Sequence, residues 1–147
     1  MNYTDFLLSK KQRIKSIGFE IDDKIINPIL FDFQKDIVKW AVKKGRCAVF
    51  ADTGLGKTFI QLEWGRIIMG NILIFAPLSV SRQTIREGKK INIKVTYIRN
   101  QSEITEGIFI TNYENIENFN NCKNINAIIL DESSILKSID GKTRFYL

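Results

Sequence analysis

The sequence predicts an α/β fold in which a mainly parallel β-sheet is flanked by helices. Three observations lead to this prediction: short apolar runs recur along the chain, helical patterns fall between several of them, and 44% of the 147 residues are hydrophobic. A chain of this length and composition is sufficient for one globular domain with a real core. Strands and helices that alternate in this way are typical of a doubly wound sheet.

Five apolar runs have the length and the content of β-branched residues that buried parallel strands require. Polar or glycine-containing segments separate them, and we expect the runs to share one sheet. They are CAVFA from Cys47, NILIFA from Asn71, KVTYI from Lys94, GIFIT from Gly107 and NAIILD from Asn126.

Three helices are predicted between these strands. In the segment from Phe33 to Lys44, apolar residues recur at the spacing of one helix face. The segments from Thr58 to Met69 and from Val80 to Ile91 are the other candidates.

The N-terminal segment, residues 1–27, is predicted to be a basic helical extension with a short connector that precedes the main domain at 28–147. The run KKQRIK from Lys10 carries most of its charge. A solvated helix packed on the edge of the domain is the favoured interpretation, and an arm that binds nucleic acid is the alternative.

The charge and the apolar runs bear on partners and compartment. The formal net charge of +6 points to an acidic partner, of which nucleic acid is the commonest, although a basic surface also serves solubility alone. We expect a cytoplasmic protein, because the first residues lack the apolar region of a signal peptide. No apolar run approaches the about 20 residues that span a bilayer, so no membrane partner is expected.

The two cysteines do not have the spacing of a metal site. Cys47 lies in an apolar run, where a buried thiol is expected, and Cys122 lies among asparagines. The chain has no histidine. We therefore expect no zinc.

The stretch ADTGLGKT, from Ala51 to Thr58, lies between a predicted strand and a predicted helix. Its glycines allow the backbone to approach a ligand closely. Successive amides in such a loop, together with the positive end of the helix, point at phosphate oxygens. The residues expected to bind phosphate in this way are Thr53, Gly54, Leu55 and Gly56.

Lys57 and Thr58 complete the predicted phosphate site. Lys57 would reach the β- and γ-phosphates as a mobile charge, and the Thr58 hydroxyl would ligate Mg²⁺. One residue departs from the general P-loop pattern, because Ala51 stands where that pattern begins with glycine. The stretch predicts a bound nucleoside triphosphate with Mg²⁺.

An acidic pair follows the last predicted strand. The apolar residues of AIIL bring Asp131 and Glu132 to the carboxyl end of that strand, where open α/β sheets bind ligands. Asp131 would hold Mg²⁺ through water, and Glu132 would orient or deprotonate the attacking water. The alternative is a helix N-cap followed by a first-turn acid. The P-loop that precedes the pair favours the hydrolytic role.

Four motifs in this order resemble those of superfamily-two helicases and translocases: ADTGLGKT, APLSV, ITNYE and DESSILK. The motif sequences are most similar to those of the Swi/Snf-type branch and of phage-encoded DEAD/DEAH-like helicases. The resemblance covers the chain from about Leu30 to Lys137. The resemblance implies that residues 28–147 are part of a first RecA-like lobe that binds ATP and Mg²⁺. It also implies a nucleic-acid partner, with double-stranded DNA expected.

The resemblance implies roles for single residues. Gln34, in FDFQ, would read the edge of an adenine, and Phe31 or Phe33 would pack against the base. Ser79 and Thr111 would contact the nucleic-acid backbone, which positions a strand without reading its sequence. Contacts of this kind suit translocation.

Each role has a structural alternative. Gln34 could lie on the surface of its helix, Ser79 could cap the helix that follows it, and Tyr113 could be a packing aromatic. A basic helix face is a further candidate for nucleic-acid binding, formed by Arg82, Arg86, Lys89 and Lys90. Because Glu87 interrupts these residues in sequence, a solvated helix is favoured.

Two features depart from the family pattern. Ser133 and Ser134 stand where many relatives carry alanine and histidine, and the shorter reach of a hydroxyl bears on how ATP turnover is relayed to the nucleic acid. The sequence ends at Leu147, before the Ser/Thr-Ala-Thr motif and before the second RecA-like lobe that supplies an arginine finger. Such a finger is worth about 10³ to 10⁵ in rate, so we expect very weak hydrolysis from this chain alone, as a fragment or truncated relic of a larger motor.

Two other functions stay open. The chain could be a module that binds nucleotide or nucleic acid without turnover. It could also belong to another P-loop class, such as the GTPases or the nucleotide kinases. The sequence has no Asn-Lys-x-Asp guanine motif, and Gln34 ahead of the P-loop favours adenine.

Overall fold

A four-stranded, all-parallel β-sheet forms the centre of the computed structural model, which describes residues 2–5, 15–121 and 123–134. The strands are β1 (Ile72–Ala76), β2 (Val95–Tyr97), β3 (Ile108–Asn112) and β4 (Ala127–Leu130). Their order across the sheet is β2-β3-β1-β4, and each neighbouring pair is parallel. The predicted α/β class is confirmed, and so are four of the five predicted strands.

Three α-helices flank the sheet: α1 (Asp32–Lys44), α2 (Lys57–Ile68) and α3 (Leu78–Lys90). They confirm the three predicted helices. α1 is followed by Gly45 at φ +77°, a left-handed conformation that glycine adopts without steric cost. Short 3₁₀ helices occupy Asp23–Ile25, Gln101–Glu103 and Tyr113–Asn118.

The two faces of the sheet bury separate apolar clusters. On one face, residues of β1 and β3 such as Ile72 and Ile110 pack against α2 and α3. On the other face, Phe75 packs against Tyr113 and Phe119 from the segment that follows β3. β1 and β3 are buried along their whole length, as their largely apolar sequences predict.

The predicted strand from Cys47 to Ala51 is absent, which corrects the expectation from sequence. Residues 47–51 are irregular and mostly exposed, and Phe50 is 95% exposed. No main-chain hydrogen bond joins residues 46–51 to the other described residues. A strand requires a hydrogen-bonded neighbour, which an apolar run by itself does not supply. Cys47 is accordingly exposed and not buried.

β4 is the edge strand of the sheet beside β1, and no strand within the described ranges pairs with its other side. Its residues alternate between partly buried and exposed positions. The exposed ones are Ile128 and Leu130. The alternation arises because only one face of β4 is covered, where Ala127 and Ile129 pack against the cluster beneath α2 and α3.

The segment of residues 15–27 runs along the helices without forming an α-helix. The amides of residues 17–19 donate to carbonyls of the last turn of α1, which a helix end leaves without partners. Ile26 and Leu30 are buried in one cluster between α1 and α2, so packing continues across the predicted boundary at residue 27. The described segment lies where the connector is predicted, and most of the predicted basic helix falls on residues 6–14, outside the described residues.

The C-terminal part of the predicted main domain is described as far as Ser134. Residues 135–147 and Cys122 lie outside the described residues. In the ranges that the structure covers, no helix is long and apolar enough to cross a membrane.

Candidate functional site

The first turn of α2 and the acidic pair after β4, two parts of the predicted site, both lie at the carboxyl edge of the sheet. β4 ends at Leu130, directly before Asp131 and Glu132. α2 ends at Ile68, shortly before β1 begins, so the first turn of α2 lies toward the opposite, carboxyl edge of the parallel strands. This is the edge at which open α/β sheets bind ligands.

The turn before α2, residues 51–56, has the backbone geometry that its two glycines predict, and we call it the glycine turn. Gly54 and Gly56 adopt φ of +84° and +71°. No side chain caps α2, and its first intrahelical bond runs from the Ile60 amide to the Gly56 carbonyl, at 3.2 Å. The amides of residues 57–59 therefore lack an acceptor within the helix, and amides at such a helix end, together with the helix dipole, can bind an anion.

The predicted phosphate-binding residues around the glycine turn differ in whether they are exposed and free to bind a ligand. Lys57 is exposed, and no described acid pairs with it. Leu55 is exposed in the turn. The Thr53 amide donates to Oδ1 of Asp52 at 2.7 Å, so a carboxylate of the turn itself engages that predicted phosphate-binding group. A phosphate would have to replace Asp52 there.

Gln34 connects the start of α1 to the glycine turn. Its Oε1 accepts the Phe31 amide at 2.9 Å, and its Nε2 donates to the Leu55 carbonyl at 3.1 Å. Because Gln34 is only 3% exposed, the alternative of a surface residue is wrong. The predicted contact with adenine would use the amide group that these two bonds occupy. It stays a prediction.

Phe31 and Phe33 form an exposed aromatic pair beside Gln34. Their ring centroids are 6.2 Å apart, and their planes differ by 15°. Phe31 is 70% exposed and Phe33 is 43% exposed. Both rings present open surface close to Gln34, as packing against a base would require.

Asp131 is held by contacts on its main chain and its side chain. Its amide donates to the Phe75 carbonyl at 2.8 Å, and its carbonyl accepts the Tyr113 hydroxyl at 2.6 Å. Its carboxylate Oδ2 accepts Nε2 of Gln61 at 3.3 Å. Gln61 lies three residues after Thr58 on the same face of α2. The carboxylate of Asp131 is therefore directed toward the helix that carries Thr58.

The alternative role of Asp131 as a helix N-cap finds no support in the described residues, since no main-chain amide among them donates to its carboxylate. Glu132 is exposed and has φ +55°, a left-handed conformation that is rare for residues with a Cβ. Such backbone strain is concentrated at functional sites.

Tyr113 is a packing aromatic, as the structural alternative predicts. It is buried and stacks on Phe75 with ring centroids 5.9 Å apart. Burial raises the pKa of its phenol far above the usual value, and the carboxylates of Asp131 and Glu132 raise that pKa further. The hydroxyl therefore stays protonated and donates to the Asp131 carbonyl across the ordinary pH range.

The donor set at this edge fits Mg²⁺. Thr58 and Asp131 offer oxygen ligands, and Mg²⁺ is commonly held by one or two carboxylates, waters and substrate phosphates. In the part of the chain that is described, no three His, Cys, Asp or Glu side chains gather in a metal-binding cluster.

The two predicted nucleic-acid contacts differ in the structure. Ser79 is exposed in the first turn of α3, and no side chain caps that helix, so the capping alternative for Ser79 is wrong. Thr111 is fully buried, and its hydroxyl accepts Nδ2 of Asn115 at 3.2 Å. The predicted contact through Thr111 is corrected, because no phosphate reaches a hydroxyl on a strand that is covered on both faces.

Gln61 and Asp52 are site residues that sequence reasoning missed. The position of Gln61, one helical turn after Thr58, is the signal that indicates a side chain on the same face. The signal for Asp52 is its place directly before Thr53, because aspartates in turns often accept nearby main-chain amides.

Gly56→Ala is expected to destabilise the chain more than Gly54→Ala. Both substitutions put a Cβ at positive φ, but only the one at Gly56 would overlap a neighbour, Nε2 of Gln34. We expect losses in the free energy of unfolding of about 2 to 4 kcal/mol at Gly56 and about 1 to 2 kcal/mol at Gly54. Urea unfolding measures both.

The overlap with Gln34 can be isolated by a double-mutant cycle. Gln34→Ala removes the atom that the new methyl group meets, so the variant with both substitutions should lose less stability than the sum of the two single losses. Strict additivity would contradict the contact between the glycine turn and Gln34.

No family model matches the chain, and a search of curated proteins finds no significant match. The function is therefore inferred from the residues of the site and from their geometry.

Proposed function

We propose that this chain is the ATP-binding lobe of a nucleic-acid-dependent ATPase of the helicase or translocase type, with double-stranded DNA as its track. The observation that carries the proposal is the contact between the Gln61 amide and the Asp131 carboxylate, at 3.3 Å. It joins the helix that begins with Lys57 and Thr58 to the strand end that bears Glu132. The contact supports a single site for a triphosphate and its metal ion.

In this proposal the glycine turn and the first amides of α2 bind the phosphates of ATP. Lys57 reaches the β- and γ-phosphates, while Thr58 and Asp131 hold Mg²⁺, Asp131 through water. A bound Mg²⁺ ion neutralises charge on the phosphate oxygens. Glu132 orients the attacking water or accepts its proton. Gln34 contacts the adenine edge through the second N–H and the second oxygen lone pair of its amide, which the bonds to Phe31 and Leu55 leave unused.

Asp131→Asn tests the shared site through the metal dependence of ATP binding. Calorimetric titration with ATP, in Mg²⁺ and in EDTA, gives the affinity gain that the metal provides. We expect that gain to fall by about 10- to 100-fold in the variant, the usual cost of losing a group that holds a metal indirectly. An unchanged gain would contradict the assignment of Asp131.

Glu132→Gln is the matched control for that measurement. Its role is in turnover, so the Mg²⁺-dependent gain in affinity should persist, while the weak DNA-stimulated phosphate release expected of this chain should fall to the background rate. Phosphate release by the wild type that DNA does not stimulate would favour the alternative, a nucleotide-binding module without coupled turnover. A clear preference for GTP over ATP would favour another P-loop class.

A further inference from the structure

The outward face of α3 carries a row of cations. Arg82, Arg86, Lys89 and Lys90 are all exposed, and we call them the α3 basic stripe. The opposite face of the helix is buried through Ser81, Thr84 and Gly88, and neighbouring residues pack on the sheet. At 3.6 residues per turn, the four cations fall within about 100° of the helix circumference.

Glu87 does not interrupt this stripe in three dimensions. It lies beyond the edge of that arc and accepts a hydrogen bond from Nε2 of Gln83 at 2.9 Å. None of the ion pairs among the described residues includes a cation of the stripe. The expectation that Glu87 breaks up the basic face is therefore wrong. No ion pair within the described part of the chain neutralises the positive charge of the stripe.

Polar residues lie next to the stripe at both ends of α3, and the one at the carboxyl end, Lys94, is a further exposed cation. At the amino end, Ser79 is exposed in a first turn that no side chain caps. At the other end, exposed Lys94 lines a groove together with Lys89 and Asn92, and the remaining lining residues are the apolar Ile85, Ile93 and Val95. The exposed cations therefore run from Arg82 along the flank of the lobe to Lys94.

We propose that the α3 basic stripe binds the phosphates of a nucleic-acid backbone along the flank of the lobe. From Arg82 to Lys90 the helix rises about 12 Å. That rise equals three to four base-pair steps of a duplex, at about 3.4 Å each along the duplex axis. Arginine pairs with phosphate oxygens in bidentate fashion, so Arg82 and Arg86 are the expected main contacts.

Two observations favour nucleic acid over an anionic membrane. A helix that binds a membrane surface inserts an apolar face, but the apolar side of α3 is already packed on the sheet. Its outward side is polar, with Leu78 exposed only at its start. The choice of nucleic acid over other polyanions rests on the proposed function.

The double substitution Arg82→Gln and Arg86→Gln tests the stripe. Fluorescence anisotropy with a labelled duplex, at salt concentrations from about 50 to 200 mM, gives the slope of log K against log salt. We expect the magnitude of that slope to fall by about 1.8, or 0.9 for each cation, and the affinity at the lowest salt to fall about tenfold or more. Lys24→Gln with Lys123→Gln removes the same charge from exposed sites elsewhere and should leave the slope unchanged.

A thermal shift by MgATP in the same variants separates this proposal from the proposed function. A retained shift shows that the lobe is folded and its ATP site intact. If that shift persists and the duplex slope matches the wild type, or if the wild type binds no duplex, the stripe proposal is overturned while the ATP site stands. Loss of binding to phosphatidylserine vesicles, with duplex binding unchanged, would overturn it in favour of a membrane surface. Loss of the MgATP shift in the wild type would count against the proposed function alone.

Discussion

MgATP is expected to raise the melting temperature of the wild-type chain and to leave that of Lys57→Ala unchanged. At a ligand concentration of about 100 times Kd, binding stabilises the folded state by about 2.7 kcal/mol. For a chain of this length the shift is about 5 to 10 °C. Lys57 is exposed and has no described ionic partner, so its removal should affect the ligand and not the fold.

Lys24→Ala is the control for Lys57→Ala. Lys24 is likewise exposed but lies in the N-terminal segment, away from the glycine turn, so the full MgATP shift should remain. Differential scanning fluorimetry is sufficient for the comparison. An equal shift in Lys57→Ala and the wild type would refute the assignment of the glycine turn as a phosphate site.

Glu63→Ala is expected to lower the free energy of unfolding by about 2 to 4 kcal/mol. Glu63 is fully buried in α2 and accepts the Asn27 amide at 2.8 Å. It also accepts Nε and Nη2 of Arg66, at 2.9 and 2.5 Å. Arg66 in turn donates to the Ile25 carbonyl at 2.5 Å. The substitution therefore leaves a main-chain amide without its acceptor and releases the N-terminal segment from α2.

The hydrogen bond to Glu63 also raises the pKa of Arg66, against the opposing effect of partial burial. Arg66 stays charged in either case, and its partial exposure allows water to solvate it once Glu63 is gone. Glu117→Ala is the matched control, because Glu117 is exposed and should change stability by less than about 0.5 kcal/mol. Urea unfolding that finds Glu63→Ala no worse than this control would contradict the anchoring role.

The central strands could be predicted because they are buried on both faces. β1 and β3 lie between other strands and between two apolar clusters, so their sequences are nearly continuous apolar runs. α2 and α3 were predictable from their positions between such runs. The amino-acid composition of these elements is therefore sufficient to predict that they are buried.

The run from Cys47 to Ala51 shows why the same reasoning fails elsewhere. Its composition equals that of a buried strand, but a strand also needs a neighbour whose identity depends on the whole topology. The predicted nucleic-acid contact through Thr111 is wrong for a related reason. A strand sequence does not reveal whether a polar residue faces a ligand or a side chain of the protein, in this case Asn115.

The motifs of the candidate site could be predicted from the sequence, but the hydrogen bonds that join its residues could not. The glycine turn and the acidic pair follow from local motifs, and the structure brings α2 and Asp131 together. The bonds that use Gln34 and Asp52 within the protein depend on side-chain conformations that spacing does not determine. The α3 basic stripe could likewise not be recognised from sequence order alone. Glu87 lies among the four cations in the sequence, but the helix geometry places it outside the face that they share.

The unpaired segment before the glycine turn divides the molecule into units of unequal local stability. Residues 46–51 can open without breaking any described main-chain hydrogen bond, so their opening free energy is expected to lie far below that of global unfolding. The sheet around β1 and β3 opens only with the whole core. One side of the candidate site is thus expected to fluctuate with a weakly held stretch of chain, whereas the other side should open only with the core of the sheet. A ligand that touches both would couple their motions.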